Sequence, residues 1–483
     1  MSKTLNEQAK TVDVAEIVRH GERLTLPDGM KIAAAIDLLQ RRAKYEQTET
    51  AFSEKFDVLP FDGANALNEV LLKKFGWAEA TGTPGFFGTR PPQLINIEVA
   101  PGVFKQVPWG RINLPNLEAG FIETGVQVKD GRYVFSLNAT ILRVDEETVK
   151  SLFAEVREYL KTGSIYKGRA IKIRFLDEDG DALAMPEPAF IDTRKIDPAG
   201  LIYADDVTQA IETNLFTPIS RVADCIANGI PVKRGVLLGG TYGTGKTLAA
   251  TVAARLATDE GVTYVYIPRA DELSHAIEFA KQYQSPACVI FCEDVDRVTD
   301  GERSVEMDDI LNILDGIDTK NANIITVVTT NDLQSINPAM LRPGRLDAVI
   351  DVTPPDAKAV EKLLRLYGGA SIAEGTDLTK VGELLAGNIP AVIAEVVKRA
   401  KLAQLRLQPR GVPVTGISEQ AFIDASTTMN AQVQLLRDRS AKAAPALTID
   451  AVLGTTLAVA LEPVLSQIED LAGKVRKIED EVC

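Results

Sequence analysis

Histidine and cysteine are scarce in this sequence, with two of the former (His20, His275) and four of the latter (Cys225, Cys288, Cys292, Cys483) in 483 residues. So few thiols and imidazoles exclude a disulfide framework and a finger-type zinc site, and reduced thiols inside the cell are the simpler expectation. Basic side chains are outnumbered, 53 Lys and Arg against 67 Asp and Glu, for a formal charge of −14. Indiscriminate nucleic-acid binding leaves a basic footprint, so this balance disfavours a nucleic-acid partner while leaving room for a local basic groove. No apolar run reaches membrane-spanning length; the longest candidate, 456–465, is broken by Glu462 and Pro463. The first ten residues, MSKTLNEQAK, lack the apolar core of a secretory signal. Internal repeats and long low-complexity tracts are absent too. The expectation is a soluble cytoplasmic protein without a membrane partner.

What is present is ordinary globular material, 45% apolar and 25% charged, in a chain long enough for two to four domains of roughly 100–200 residues. Residues 1–55 read as helical, with Ile32, Ala35, Ile36 and Leu39 at helix spacing. Glycine and proline crowd 61–115, which predicts loops and short strands; its aromatics Trp77, Phe86, Phe87 and Trp109 fit core packing or, alternatively, a partner contact. Residues 120–142 alternate and turn at Lys129-Asp130-Gly131, predicting a hairpin, with a helix over 145–161 and a strand over 170–176. These elements suggest an α+β N-terminal domain over 1–197, an adaptor or partner-binding module.

The pattern changes after Asp197-Pro198. Short apolar runs at 235–238, 263–267, 288–292, 324–329 and 349–352 alternate with helix-length segments. That alternation predicts an α/β domain over 198–355, a parallel sheet covered by helices on both faces. A small helical unit follows at 356–410, then a C-terminal helical segment at 411–483. The latter carries Val464, Ile468, Leu471, Val475, Ile478 and Val482 in steps of 4, 3, 4, 3, 4. The stripe fits a short coiled coil or an amphipathic helix packed on its own domain.

The segment Gly240-Thr241-Tyr242-Gly243-Thr244-Gly245-Lys246-Thr247 fits G-x-x-x-x-G-K-[ST], lies between the predicted strand RGVLL and the predicted helix TLAATVAARLA, and with Leu248 makes up the expected nucleotide-binding set. Glycines let successive N–H groups turn inward around a phosphate, and the helix N-terminus adds positive charge. Lys246 would reach the terminal phosphates and the Thr247 hydroxyl would ligate Mg²⁺. A second apolar strand delivers Glu293 and Asp294 beside this loop, so that one acid can serve the Mg²⁺ shell and its neighbour can polarise water. A third ends at Asn331, suited to fixing that water or sensing the terminal phosphate. Arg342 and Arg345, three apart on a turn, can project toward a neighbouring copy's nucleotide. Cys288 and Cys292 share a face of their strand without nearby partners, and read as small core residues rather than metal ligands.

This set resembles the AAA family of ring-forming ATPases over about 204–407. IPVKRGVLLGGTYGTGKT is similar to the family's entry strand and P-loop, CVIFCEDVD to its second acidic motif, and TTNDLQSINPAMLRPGRLD to its sensor asparagine and paired arginine fingers. The resemblance implies a P-loop NTPase fold with sheet order 5-1-4-3-2 and a helical lid, ATP/ADP and Mg²⁺ as cofactors, and a homo-oligomeric ring, with six subunits expected. It also implies that Asp206 and Val207 line the adenine pocket and that Arg342 and Arg345 act in trans. Three departures stand out. Thr241-Tyr242 replaces the usual Pro-Pro of the loop, which predicts a less rigid loop. The usual Asp-Glu is inverted to Glu293-Asp294, as in the branch of the mitochondrial Rieske-protein translocase. No aromatic-hydrophobic-Gly tripeptide lies between 267 and 275, where threading members carry a pore loop. The expectation is an ATPase that remodels or disassembles a protein partner without threading it; a nucleotide-gated scaffold and, less favoured by charge, a nucleic-acid motor are the alternatives.

Overall fold

The computed structural model describes residues 18–20, 23–26, 28–77, 79–85, 88–117, 119–129, 132–295, 322–333, 346–407 and 409–429. Arg342, Arg345 and the C-terminal stripe lie outside them. The chain divides into two units, Met1–Thr353 and Pro354–Cys483.

In the first unit the N-terminal region forms an antiparallel sheet backed by helices. The expected helix is present as Ile32–Glu46, but Val18–His20 and Arg23–Thr25 form an antiparallel strand pair and 49–55 is not helical. Strand β1 (Glu49–Phe56) instead pairs antiparallel with the hairpin's second strand. Its phenylalanines recur at even spacing, Phe52 and Phe56, and turn inward onto Phe153; the period of two decided the outcome. Helix α1 (Pro60–Phe75), ended by Gly76 in the left-handed region, follows where the sequence predicts loops and short strands; the glycine and proline behind that expectation cluster after residue 76. The hairpin strands β2 (Gly120–Lys129) and β3 (Arg132–Leu142) pair along their length. Helix α2 (Glu146–Thr162) then packs with α1 on the sheet. Leu67, Leu71, Phe135, Leu137, Leu152 and Phe153 are among the core side chains of this layer. Trp109 lies against Phe135, whereas Trp77 is about half exposed; Phe86 and Phe87 lie outside the described residues.

The second sheet carries the site. Its strands are β4 (Ala170–Lys172), β5 (Ala189–Phe190), β6 (Arg234–Gly239), β7 (Thr263–Ile267), β8 (Cys288–Cys292), β9 (Ile324–Thr329) and β10 (Ala348–Asp351). The spatial order is β5-β4-β7-β8-β9-β6-β10. All neighbours run parallel except β5, which is antiparallel to β4. The expected five-stranded parallel sheet is therefore a seven-stranded mixed one. The two added strands come from the residues read as the end of the N-terminal domain. The physical reason is the edge of β7: an uncovered parallel strand presents unpaired N–H and C=O groups, and β4 supplies their partners. Strands β6, β8 and β9 are buried on both faces, which accounts for their continuous apolar sequence.

Helix α3 (Lys246–Asp259) starts directly at the glycine-rich loop, and α4 (Leu273–Tyr283) joins β7 to β8. Ala249, Ala250, Ala253, Ala254 and Ala257 give α3 a buried face of small side chains that lets it lie close on the sheet. Across the junction, Leu59, Ile165, Tyr166, Ile173 and Phe175 pack in one core with Ile277, Phe279 and Tyr283 of α4.

The second unit is helical, with α5 (Ala357–Gly368), α6 (Thr379–Leu385) and α7 (Pro390–Leu407). The Asp356 carboxylate caps α5 by accepting from Ala359 N–H at 2.8 Å. Among the described residues no helix is long and apolar enough to cross a membrane.

Candidate functional site

The glycine-rich loop leaves β6 and enters α3 through three left-handed glycines, Gly240 (φ 136°), Gly243 (φ 80°) and Gly245 (φ 105°). A Cβ on Gly240 would sit 2.4 Å from the Val352 carbonyl oxygen, so only glycine lets the strand turn here. Thr244, itself buried, donates its hydroxyl to the Thr241 carbonyl at 3.0 Å, an internal brace in the loop that carries Thr241-Tyr242. Tyr242 and Leu248 are exposed.

Lys246 is buried to 7% exposure, and its ammonium donates to the carbonyls of Gly240 (2.6 Å) and Thr241 (3.1 Å) and to Asn331 Oδ1 (2.9 Å). An ammonium has donors only, so the asparagine must present its oxygen to Lys246 and its amide to whatever lies beyond. What lies beyond is Asp294, whose Oδ1 accepts from Asn331 Nδ2 at 2.9 Å. Asp294 holds a left-handed backbone (φ 45°), rare for a residue with a side chain. It is fixed there by its N–H donating to Thr329 Oγ1 at 2.9 Å and by Val295 N–H donating to the Thr329 carbonyl at 2.9 Å. Such strain concentrates where a side chain must be aimed.

The other acid belongs to a second chain of bonds. Thr247 Oγ1 donates to Glu293 Oε1 at 2.7 Å, and the Tyr266 hydroxyl donates to Glu293 Oε2 at 2.9 Å. Burial, then the hydrogen bond to Glu293, hold the Tyr266 phenol above its ordinary pKa, so it stays a donor. Thr247 and Glu293 bring a hydroxyl and a carboxylate oxygen to one point at the helix N-terminus. Mg²⁺ takes one or two such hard oxygens and completes its shell with phosphates and water, so this pair fits the ion. Among the described residues no group of three or more His, Cys, Asp or Glu could hold a metal by itself.

Lys246, Thr247, Glu293, Asp294 and Asn331 are thus brought together. Asp206 and Val207 lie at the start of a short helix, Asp205–Ile211, with Asp206 exposed and Val207 in the core. That segment reaches the loop through Tyr203, whose buried ring lies against Gly245 and whose hydroxyl donates to the Gly245 carbonyl at 2.7 Å. Tyr203, Tyr266 and Thr329 are the residues that sequence reasoning missed. For Tyr266 and Thr329 the available signal was a polar atom near the end of an otherwise apolar strand, a cue too common to single them out; Tyr203 lies in the irregular segment before Asp205–Ile211 and offered no such cue. Cys288 and Cys292 are buried in β8, and burial pushes the Cys292 thiol up to about 12. His275 stacks on Phe175, away from this chemistry (centroids 6.0 Å).

Residues 236–354 match the model of the ATPase family associated with various cellular activities (AAA). The ATP-dependent zinc metalloprotease FtsH of Caldicellulosiruptor bescii is 29% identical over 211 residues, 40% of this chain and 34% of that protein. The protein of the same name from Mycobacterium leprae is 30% identical over 216 residues, 41% of this chain and 27% of its own. The 26S proteasome regulatory subunit 8 homolog of Schizosaccharomyces pombe is 31% identical over 199 residues, 37% and 48% of the two chains. The aligned stretch thus spans less than half the length of each of these relatives.

Proposed function

We propose that the chain is an AAA-type ATP hydrolase that couples turnover to the remodelling or disassembly of a protein partner. The observation that carries this reading is the pair of hydrogen-bond chains that converge on the glycine-rich loop, Thr247–Glu293 and Lys246–Asn331–Asp294. They support different work for the two acids. Glu293, bonded to the Thr247 hydroxyl, serves the metal shell. Asp294, aimed by a strained backbone and by Asn331, takes the proton of the attacking water. Mg²⁺, when bound, neutralises charge on the terminal phosphates. Lys246 binds the same phosphates, the N–H groups of Gly243 to Thr247 cradle them, and Asn331 reports their presence to Asp294. Asp206 and Val207 remain the proposed edge of the adenine pocket, now with Tyr203 beside them. Arg342 and Arg345 are proposed to enter from the adjoining copy in a homo-oligomeric ring of six. Residues 1–197 are proposed as the partner-binding module, 198–355 as the ATPase subdomain and 356–410 as its lid.

The non-threading mode is supported by the connection from β7 to α4. Only Pro268 to Glu272 intervene, three of them in a tight helical turn, and the buried Glu272 accepts from Phe175 N–H at 3.1 Å. A connection tied down in this way leaves little chain to project as a gripping loop. The proteolytic half of the FtsH name is not carried over, because His20 and His275 cannot form a zinc-binding H-E-x-x-H pair.

The test is Asp294→Asn. It keeps the shape and the Asn331 contact but removes the base, so ATP binding should persist while hydrolysis falls by about 10²–10⁴. Turnover at the wild-type rate in that variant would remove Asp294 from the role.

A further inference from the structure

We infer that Tyr266 is a positioning residue of this site: its hydroxyl anchors one oxygen of Glu293 so that the other stays at the Thr247 hydroxyl, the point where a divalent cation is ligated. The inference rests on the nucleotide and Mg²⁺ reading of the same site and extends it to a residue outside the glycine-rich, acidic and asparagine-arginine motifs.

The argument begins with chain length. Glutamate has one more methylene and one more free torsion than aspartate, so a glutamate in the metal-shell position needs a second anchor to aim its carboxylate. The sheet register supplies one. Tyr266 pairs with Phe291 across the β7–β8 ladder, and side chains alternate along a strand, so Tyr266, Phe291 and Glu293 share one face. The Tyr266 and Phe291 rings lie 5.7 Å apart, and the hydroxyl reaches Glu293 Oε2 at 2.9 Å. Tyr266 is itself held from the other side by the added strand. Ile173 N–H donates to its carbonyl at 3.0 Å, and the Lys172 ammonium lies 5.2 Å from its ring centroid. A tyrosine clamped by backbone, a tilted ring contact and a cation presents its donor in a fixed place. Groups that orient metal ligands in this way commonly change metal affinity 10–100-fold when lost.

The experiment uses the full chain, ADP and Mn²⁺ as the spectroscopic stand-in for Mg²⁺. ADP affinity is measured without metal, and Mn²⁺ binding to the ADP complex is followed by electron paramagnetic resonance. Tyr266→Phe should leave metal-free ADP affinity unchanged and weaken Mn²⁺ binding by about 10–100-fold. Unchanged Mn²⁺ binding in that variant overturns the tyrosine's role while leaving the nucleotide reading intact. Absence of Mn²⁺ binding to the wild-type ADP complex overturns both. Glu293→Asp provides a second arm, since the shorter carboxylate cannot span Thr247 and Tyr266. It should weaken Mn²⁺ binding to a similar extent, and adding Y266F to it should cost little more. A full second loss in the double variant counts against the inference.

Discussion

Asp62 sits on α1 with no exposed surface, accepting from Ser164 Oγ at 2.7 Å and from Ile165 N–H at 2.9 Å, with the Tyr283 hydroxyl beside it. Burial raises its pKa from 3.8 to about 6, although the hydrogen bonds of Ile165 and Ser164 pull the other way. Between those values the folded chain holds a proton that the unfolded chain has released. The stability contributed by protonated Asp62 is therefore complete below pH 3.8 and lost as pH rises to about 6. At one pKa unit per 1.36 kcal/mol, the loss is about 3 kcal/mol. Asp62→Asn does not titrate, so its stability relative to wild type should climb between about pH 4 and pH 6 and then level off. Denaturant unfolding of both proteins across that range checks this; an offset independent of pH would show that Asp62 does not titrate in the window. The same scale holds the Glu293–Asp294 order. The Glu293 carboxylate is shared between the Thr247 and Tyr266 hydroxyls, a span that an aspartate one methylene shorter cannot make.

Strand β4 is three residues long, yet it decides how the N-terminal region meets the sheet. Gly168 N–H, two residues before β4, donates to Thr263 Oγ1 at 2.9 Å, and Thr263 in turn donates to the Tyr283 carbonyl at 2.7 Å, so the turn into β4, β7 and α4 share one buried threonine. The Leu59 N–H donates to the Tyr283 hydroxyl at 2.7 Å, and Phe279 and Tyr283 stack at 4.4 Å. A chain cut at 197 loses this cover. It bares the edge of β7 and the faces of Ile277, Phe279 and Tyr283, each worth about 1.5–3 kcal/mol of burial. The fragment 198–483 should therefore aggregate or unfold well below the intact chain. A soluble fragment with the intact chain's unfolding midpoint, measured by calorimetry, would contradict this. The expected boundary followed a change of sequence pattern, whereas the packing carries the sheet back to residue 170.

For the whole molecule, the proposed ring ties activity to assembly. A site completed by guanidinium groups from a neighbour is nearly inactive alone, because an arginine finger contributes about 10³–10⁵ in rate. Specific ATPase activity should thus rise steeply with protein concentration, in step with particle mass by light scattering. Activity independent of dilution, from particles of monomer mass, would falsify the shared-site reading. Partner choice is a property of the same scale, and stimulation by added protein rather than by DNA or RNA is the corresponding expectation for a chain of charge −14.

Local pattern along the chain was enough for the elements that depend on it. Apolar runs bounded by turn residues placed β6 to β10 within a residue or so, and glycine spacing placed the loop before α3, because these follow from backbone torsions and burial on two faces. Which side chains meet followed from the folding of distant segments onto one another. Asn331 lies between Lys246 and Asp294 because β9 is next to β6 and β8; Tyr266 reaches Glu293 because β7 is in register with β8; and β4 joins the sheet because an open strand edge demands partners. Each of those contacts joins residues far apart in the chain, and a periodicity read along one segment carries no information about the segment that will lie beside it.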